Sequence, residues 1–300
     1  MIFLYYTEER EVILGAKDVT EKNLEDYNDV FADIFNVLVF KGERCILPGA
    51  LTNVSVHSQY KDDDGVLHEE ERDVVKYWTG RNVRVTICGI ENQTKPEKRM
   101  PLRIMGYEGA SYRSQLKKKH VAPVVTIVLY FGEKHWNYKK SLKEFLDIPK
   151  GLEEYVNDCR IHVYEVLWLT EEQLSMFTSD FGIVARYFVE KRKDPDYIPD
   201  DRRTIRHVNE VLKLLSVMTG DDRYVKIKRT NGRRPRNMCD VAERLEQRGI
   251  KRGKIIGAIE VLRDLMYSDE DILKSLMKKF ALTEEEARMN IARYGKTKGK

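Results

Sequence analysis

Residues 72–94 read RDVVKYWTGRNVRVTICGIENQT, two alternating apolar runs either side of the polar break Thr79-Gly80-Arg81-Asn82. Alternating β-branched and aromatic residues bounded by Gly and Asn predict a β-hairpin. Strand side chains alternate with period two, so Asp73, Val75 and Tyr77 share one face of the first strand. On the second strand Val83, Val85, Ile87, Gly89, Glu91 and Gln93 share a face. An apolar strand ending in an acid and an amide on its inward face is unusual, because buried charge needs a partner or a metal. A turn centred near Gly80-Arg81 sets Asp73 opposite residues 88–90, within diagonal reach of Glu91. Two carboxylates on one face repel unless they share a proton or a cation. All-oxygen ligation suits Mg²⁺ or Mn²⁺. A plainer reading is open too: Asp73 pairs with Arg72 or Arg84, and Glu91 marks the strand's exit to solvent.

Composition narrows the classes. With 42% hydrophobic and 34% charged residues over 300 positions, the chain is globular rather than disordered, and long enough for one large unit and a smaller one. Cysteines at 45, 88, 159 and 239 form no CxxC pair and no metal spacing, a usage that fits a reducing compartment. The opening MIFLYYTEEREVILG lacks a basic leader and is too short for a span, and no run of about 18 apolar residues occurs. A cytoplasmic protein without membrane contact is expected. Residues 201–300 hold 25 Lys+Arg against 15 Asp+Glu, so a net +4 hides +10 there and −6 before it. A basic C-terminal third suggests contact with polyanions, or else solvated helix faces.

Residues 21–40 carry apolar side chains at 24, 27, 31, 34, 35 and 38, a helical spacing capped by Asp18 or Thr20. Residues 51–60 are expected as a strand, and Asp62-Asp63-Asp64 as a solvated turn without EF-hand spacing. A helix is predicted over 100–119, with Arg103, Arg113, Lys117 and Lys118 either binding phosphates or simply solvating it. VAPVVTIVLYF, residues 121–131, is expected as a strand buried on both faces, with a further strand over 161–169. Ser141-x-x-Glu144 and Thr170-x-x-Gln173 read as helix-starting capping boxes. A helix is expected over 181–191 and another over 204–218. Seven basic residues between Arg223 and Arg236, among them Arg233, Arg234 and Arg236, read as a phosphate-binding loop or a linker. Residues 238–267 are expected as a helix or helix pair interrupted by Gly249, Gly253 and Gly257. Two capped helices follow, a helix-turn-helix or a surface for a second copy of the chain.

An Asp followed eighteen positions on by Glu-x-Gln at the end of an apolar strand resembles the active-site hairpin of PD-(D/E)XK nucleases. More narrowly, the chain resembles the recombination-promoting nuclease/putative transposase (YhgA-like) family. The strings that carry this are RDVVKYW, GIENQT, MPLRIMGYEGASYRSQL, PVVTIVLYFGEKHW, YVNDCRIHVYEV, SDFGIVARYFV and VNEVLKLLSVMTGD, between about Lys17 and Gly220. The resemblance implies an α/β fold: a restriction-endonuclease-like mixed sheet flanked by helices, with an all-α C-terminal region. It divides the chain into an extension (1–17), a nuclease-like domain (18–195), a helix and basic linker (196–237) and C-terminal helices (238–300). The implied activity is Mg²⁺-dependent (or Mn²⁺-dependent) DNA endonuclease chemistry. Asp73, Glu91 and Gln93 would be catalytic and Asp73 and Glu91 the metal ligands, with Asp29 on the first helix in support. Gln93 stands where most of the superfamily has lysine; it can position water but supplies no charge and no base. A nuclease-fold DNA-binding or regulatory protein with little turnover is the alternative.

Overall fold

The computed structural model describes residues 24–54, 57–61, 67–71, 73–80, 83–227 and 234–294, with backbone alone at 57–61, 67–71 and 83–85. A short helical turn at 24–25 breaks at Asp26-Tyr27 before helix α1 (Asn28–Leu38). Strands β1 (Leu51–Asn53), β2 (His57–Lys61), β3 (Leu67–Glu71), β4 (Val74–Gly80) and β5 (Val83–Gln93) follow. Next come α2 (Met100–Arg113), β6 (Val124–Tyr130), α3 (Leu142–Phe145) and β7 (His162–Glu165). The remainder is helical: α4 (Glu171–Met176), α5 (Asp180–Lys193), α6 (Val208–Thr219), α7 (Arg223–Lys226), α8 (Met238–Asp264), α9 (Asp269–Phe280) and α10 (Glu284–Tyr294).

Five strands form one mixed sheet in the order β1-β4-β5-β6-β7. β4 runs antiparallel to both its neighbours, β1 and β5, whereas β5, β6 and β7 run parallel. Parallel neighbours need a crossover, and α2 supplies it between β5 and β6. The strand expected over 51–60 is instead split: β1 joins the main sheet, and β2 pairs with β3 in a separate two-stranded sheet. One sheet face, with Val74, Cys88, Ile90, Ile127 and Leu129, buries against α1 and α5 through Phe31, Phe35, Phe181 and Val184. The other carries Val128 and Tyr130 beneath Met100, Ile104 and Tyr107 of α2. With helices on both faces, β6 needs no polar alternation, and its apolar run follows.

The hairpin closes between Gly80 and Val83. Thr79 pairs with Arg84 but Trp78 with Thr86, so Val85 is an extra residue, a β-bulge. The bulge moves the register by one, and Val74 meets Ile90. Continuing that ladder sets Asp73 against Glu91, one residue beyond the expected 88–90.

Helix α2 stops six residues short of the expected 119. Gln115 ends it: its buried amide donates to the Ser111 and Ala122 carbonyls and accepts from the Ala122 N–H, folding the chain back into β6. Thr170 and Gln173 make both bonds of a capping box, and the Ser141 hydroxyl accepts from the Glu144 N–H as its spacing foretold. The region expected over 238–267 is one helix, α8, which ends at Asp264 and runs through all three glycines. Glycine in a helix interior costs about 1 kcal/mol relative to alanine. Apolar anchoring at both ends outweighs this, with Met238 and Val241 in the main core and Ile255 and Ile259 in a second core with α9 and α10.

Candidate active site

Glu91 and Gln93 project from the last turns of β5's pleat on the α2 side, and Asn92 between them projects toward the opposite helices. Glu91 is 1% exposed. Arg103, one turn into α2, donates from Nη2 to Glu91 Oε1 at 2.6 Å and to the Tyr107 hydroxyl at 2.9 Å. The two α2 partners are four residues apart, so one helix face presents both. Gln93 Nε2 also reaches Glu91 Oε1, at 3.3 Å. Asp73, just ahead of β4, accepts on Oδ2 from the Asn92 N–H at 2.6 Å. That bond fastens the end of β4 to the end of β5 where the two acids face each other.

A third acid joins them from the segment before α1. Glu25 Oε2 accepts from Asn92 Nδ2 at 2.7 Å in a fully buried setting. Burial pushes its pKa up to about 8; the Asn92 bond pulls it down and the neighbouring Asp73 pushes it further up. Glu25 therefore keeps its proton at neutral pH, which avoids adding a negative charge next to Asp73.

The break that turns Glu25 into the site is held from a distance. Lys76 on β4 is fully buried, and its ammonium donates to the Asp26 carbonyl (2.8 Å), the Asp26 carboxylate (3.1 Å) and Asn53 Oδ1. Its Nζ also lies 5.7 Å from the Phe31 ring centroid. In an unbroken helix Glu25 and Asp29 would share a face, being four residues apart.

The break separates them. Asp29, the residue expected to support the metal site, faces His207 instead, whose Nε2 lies 3.1 and 3.2 Å from its two carboxylate oxygens. Arg206 adds an ion pair at 3.5 Å, and the His207 ring stacks on Tyr27 at 3.7 Å. The acid that the first segment sets beside Asp73 is Glu25.

The basic residues divide by position. Arg103 lies in the site. Arg113, at the far end of α2, lies about 15 Å along the helix from Arg103 at 1.5 Å per residue, and Lys117 and Lys118 follow beyond that end; all three are exposed. Lys118 Nζ sits 5.6 Å from the Tyr77 ring, toward the hairpin turn. Arg234 and Arg236 are exposed, and Arg236 is paired with Asp240 at the start of α8. Arg233 lies outside the described residues.

Among the described residues, no group of three or more His, Cys, Asp or Glu side chains is arranged as a ready metal cage. Mg²⁺ is ordinarily held by one or two carboxylates plus waters and phosphate oxygens. Asp73 and Glu91 on facing strand ends, with the Gln93 amide alongside, make a hard-oxygen donor set that fits such an ion. Among the described residues, no helix is long and apolar enough to cross a membrane.

Fold and site together define a mixed α/β protein with an acidic centre at paired strand ends and a helical C-terminal region. Residues 77–196 match the family described as "Putative transposase, YhgA-like", and over that segment the chain is similar to it. The match contains Glu91, Gln93, Arg103 and Tyr107; Asp73 and Glu25 precede it. No curated protein and no solved structure matches the chain.

Proposed function

We propose that the chain is a divalent-metal-dependent endonuclease that hydrolyses DNA phosphodiesters, built on a PD-(D/E)XK-type core. The observation that supports this reading is the β4–β5 register, which continued by one residue sets Asp73 opposite Glu91, with the Asn92 N–H on Asp73, Glu25 on the Asn92 amide and Gln93 on Glu91. A family described by transposition supports a DNA substrate. Asp73 and Glu91 would hold Mg²⁺ or Mn²⁺, which when bound polarises a phosphate oxygen and makes hydroxide available near neutral pH.

The chain's own residues do the rest. Asn92 fixes Asp73 through its N–H and Glu25 through its side chain, so two acids keep their orientation from one strand residue. Gln93 orients water through its amide but offers no positive charge. Losing one preorganised stabiliser typically slows the chemical step about 10²- to 10³-fold, so slow cleavage is expected relative to lysine-bearing relatives of the fold. Arg103 is a cation already held at Glu91, and its planar fork suits a phosphate once it parts from that acid.

Plasmid nicking with Mg²⁺ is the test. Asp73→Ala and Glu91→Ala should each lower the rate at least about 100-fold while leaving DNA binding in EDTA intact. Equal nicking by all three proteins removes the assignment. The Arg103–Glu91 pair also favours a second reading, a DNA-binding or regulatory protein with little turnover, because the pair already neutralises the metal-side acid. Tight binding by wild type without any nicking selects that reading. For the C-terminal helices, self-association is the reading we adopt over groove reading. Three glutamates open α10 and Arg288 is held by Glu284. A monomeric mass in light scattering would exclude it.

A further inference from the structure

Beyond Gln93 the carboxyl ends of the parallel strands β5, β6 and β7 open onto a cleft of about 550 Å³. Crevices at such strand ends are where open parallel sheets bind ligands, and this volume lies in the range of small-molecule sites. Thr94, the residue after Gln93, lines one side. The Phe131 N–H donates to the Gln93 carbonyl at 2.8 Å, so the cleft wall is tied directly to the strand that bears the site. From Glu91 to Thr94 the strand advances about 10 Å, the scale of a neighbouring nucleotide.

The cleft's chemistry is that of a base. His135, Tyr138, Phe131 and Phe188 line it with ring surface, Asn137 adds an amide and Lys134 a cation. His135 is the outer layer of a built stack. The Arg192 guanidinium lies 3.8 Å from the Trp168 ring centroid, and the His135 ring lies 3.7 Å from Trp168 on a 31° tilt. Glu165 Oε2, 2.5 Å from His135 Nδ1, fixes the imidazole in that pose. The outermost ring is nonetheless 64% exposed. A preorganised stack of three planar groups that ends in an exposed ring inside a cleft is a platform for one more planar group. Aromatic platforms beside cations are how proteins hold single-stranded nucleic acid without sequence preference. A paired base cannot enter, because its ring faces are already covered by its neighbours in the duplex.

We infer that this cleft receives one unpaired nucleotide of the substrate strand, stacked on His135 and Tyr138, next to the phosphate held at Asp73 and Glu91. The protein therefore prefers single strands, flaps or frayed ends to continuous duplex. This rests on the endonuclease reading for what happens to the strand, but the binding is measured apart from it.

The full chain, in EDTA so that cutting is suppressed, is titrated with oligonucleotides carrying one 2-aminopurine. Three probes are compared: a single strand, a blunt duplex, and a duplex with the analogue unpaired in a flap. The single strand and the flap should bind at least about tenfold tighter than the blunt duplex, with quenched emission as the base stacks on protein. His135→Ala and Tyr138→Ala should each remove the quenching and weaken flap binding about tenfold. Their melting curves check that they fold, and Tyr138→Phe, which keeps the ring, should restore both readouts. Equal affinity for all three probes, or quenching that survives both alanine variants, overturns the inference. So does a free mononucleotide that competes as well as the oligonucleotide, since the cleft would then serve a separate small ligand. A flap that binds and quenches yet is never cut with Mg²⁺ leaves this inference standing and removes the endonuclease reading. Cutting of duplex without quenching does the reverse.

Discussion

Glu25 shows how a single buried carboxyl links pH to stability. Its folded pKa of about 8 lies above the ordinary 4.5. Below the ordinary value both folded and unfolded chains hold the proton, and the residue's full contribution is present. As pH rises toward 8 the unfolded chain releases that proton while the folded chain keeps it, so stability falls by at most roughly 1.4 kcal/mol per pH unit. Glu25→Gln stays neutral throughout. In metal-free buffer its urea midpoint should match wild type near pH 4 and exceed it increasingly toward pH 8; parallel curves would mean the carboxyl is not buried as described. Arg103 acts on the neighbouring acid. Arg103→Ala leaves Glu91 buried without its cation and should cost about 2 kcal/mol. Pairing it with Glu91→Gln should recover most of that loss, and a double-mutant cycle without coupling would deny the contact.

Elements explain which parts of this site could be read from sequence. The hairpin was legible, because alternation, Gly80 and Asn82 are local signals. So were the α2 crossover and the apolar β6, the Thr170 capping box and the order of helix, strands, helix and strand. Glu25 was not legible. No glycine or proline marks the break at Asp26-Tyr27; it is set by Lys76, fifty residues away, and a lysine on a strand normally signals solvent. The resemblance points to Asp29 as the acid of the first helix, and that residue meets His207. The same logic predicts an outcome. Lys76→Met keeps the stem's bulk but removes the grip on Asp26, and should destabilise by about 2 kcal/mol. The break should then loosen, seen as faster hydrogen exchange at 24–28 than elsewhere in the first helix; unchanged exchange there would show the break to be held by other contacts.

At the scale of the whole molecule, the seam between the two cores falls inside α8 rather than at its start. Tyr224, Ile227, Met238 and Val241 belong to the main core, and the Tyr187 and Tyr224 hydroxyls meet at 3.1 Å. Ile255 and Ile259 belong to the C-terminal one. Ending the chain after Gly220 strips four buried side chains from the main core, about 6–12 kcal/mol at 1.5–3 each. This is comparable to a domain's entire stability, and that truncation should not fold. Ending it after Gln247 spares those residues and should hold the melting temperature within about 5 °C of wild type. If the shorter chain proves the more stable of the two, the assignment of these residues to the main core is wrong. Truncation after Gln247 is therefore the way to test whether the C-terminal helices contribute to the proposed DNA affinity and self-association.

The extra residue at Val85 has a consequence for how such a gene can be silenced. A substitution there that flattens the bulge would alter none of the residues named at the acidic centre. Val85 would then enter the ladder against Trp78, and every later pair would slip by one, sliding Asp73 from Glu91 to Ile90 and putting the two carboxyls on opposite sides of the sheet. Copies lacking the proposed activity could then carry every expected signature residue at its usual spacing.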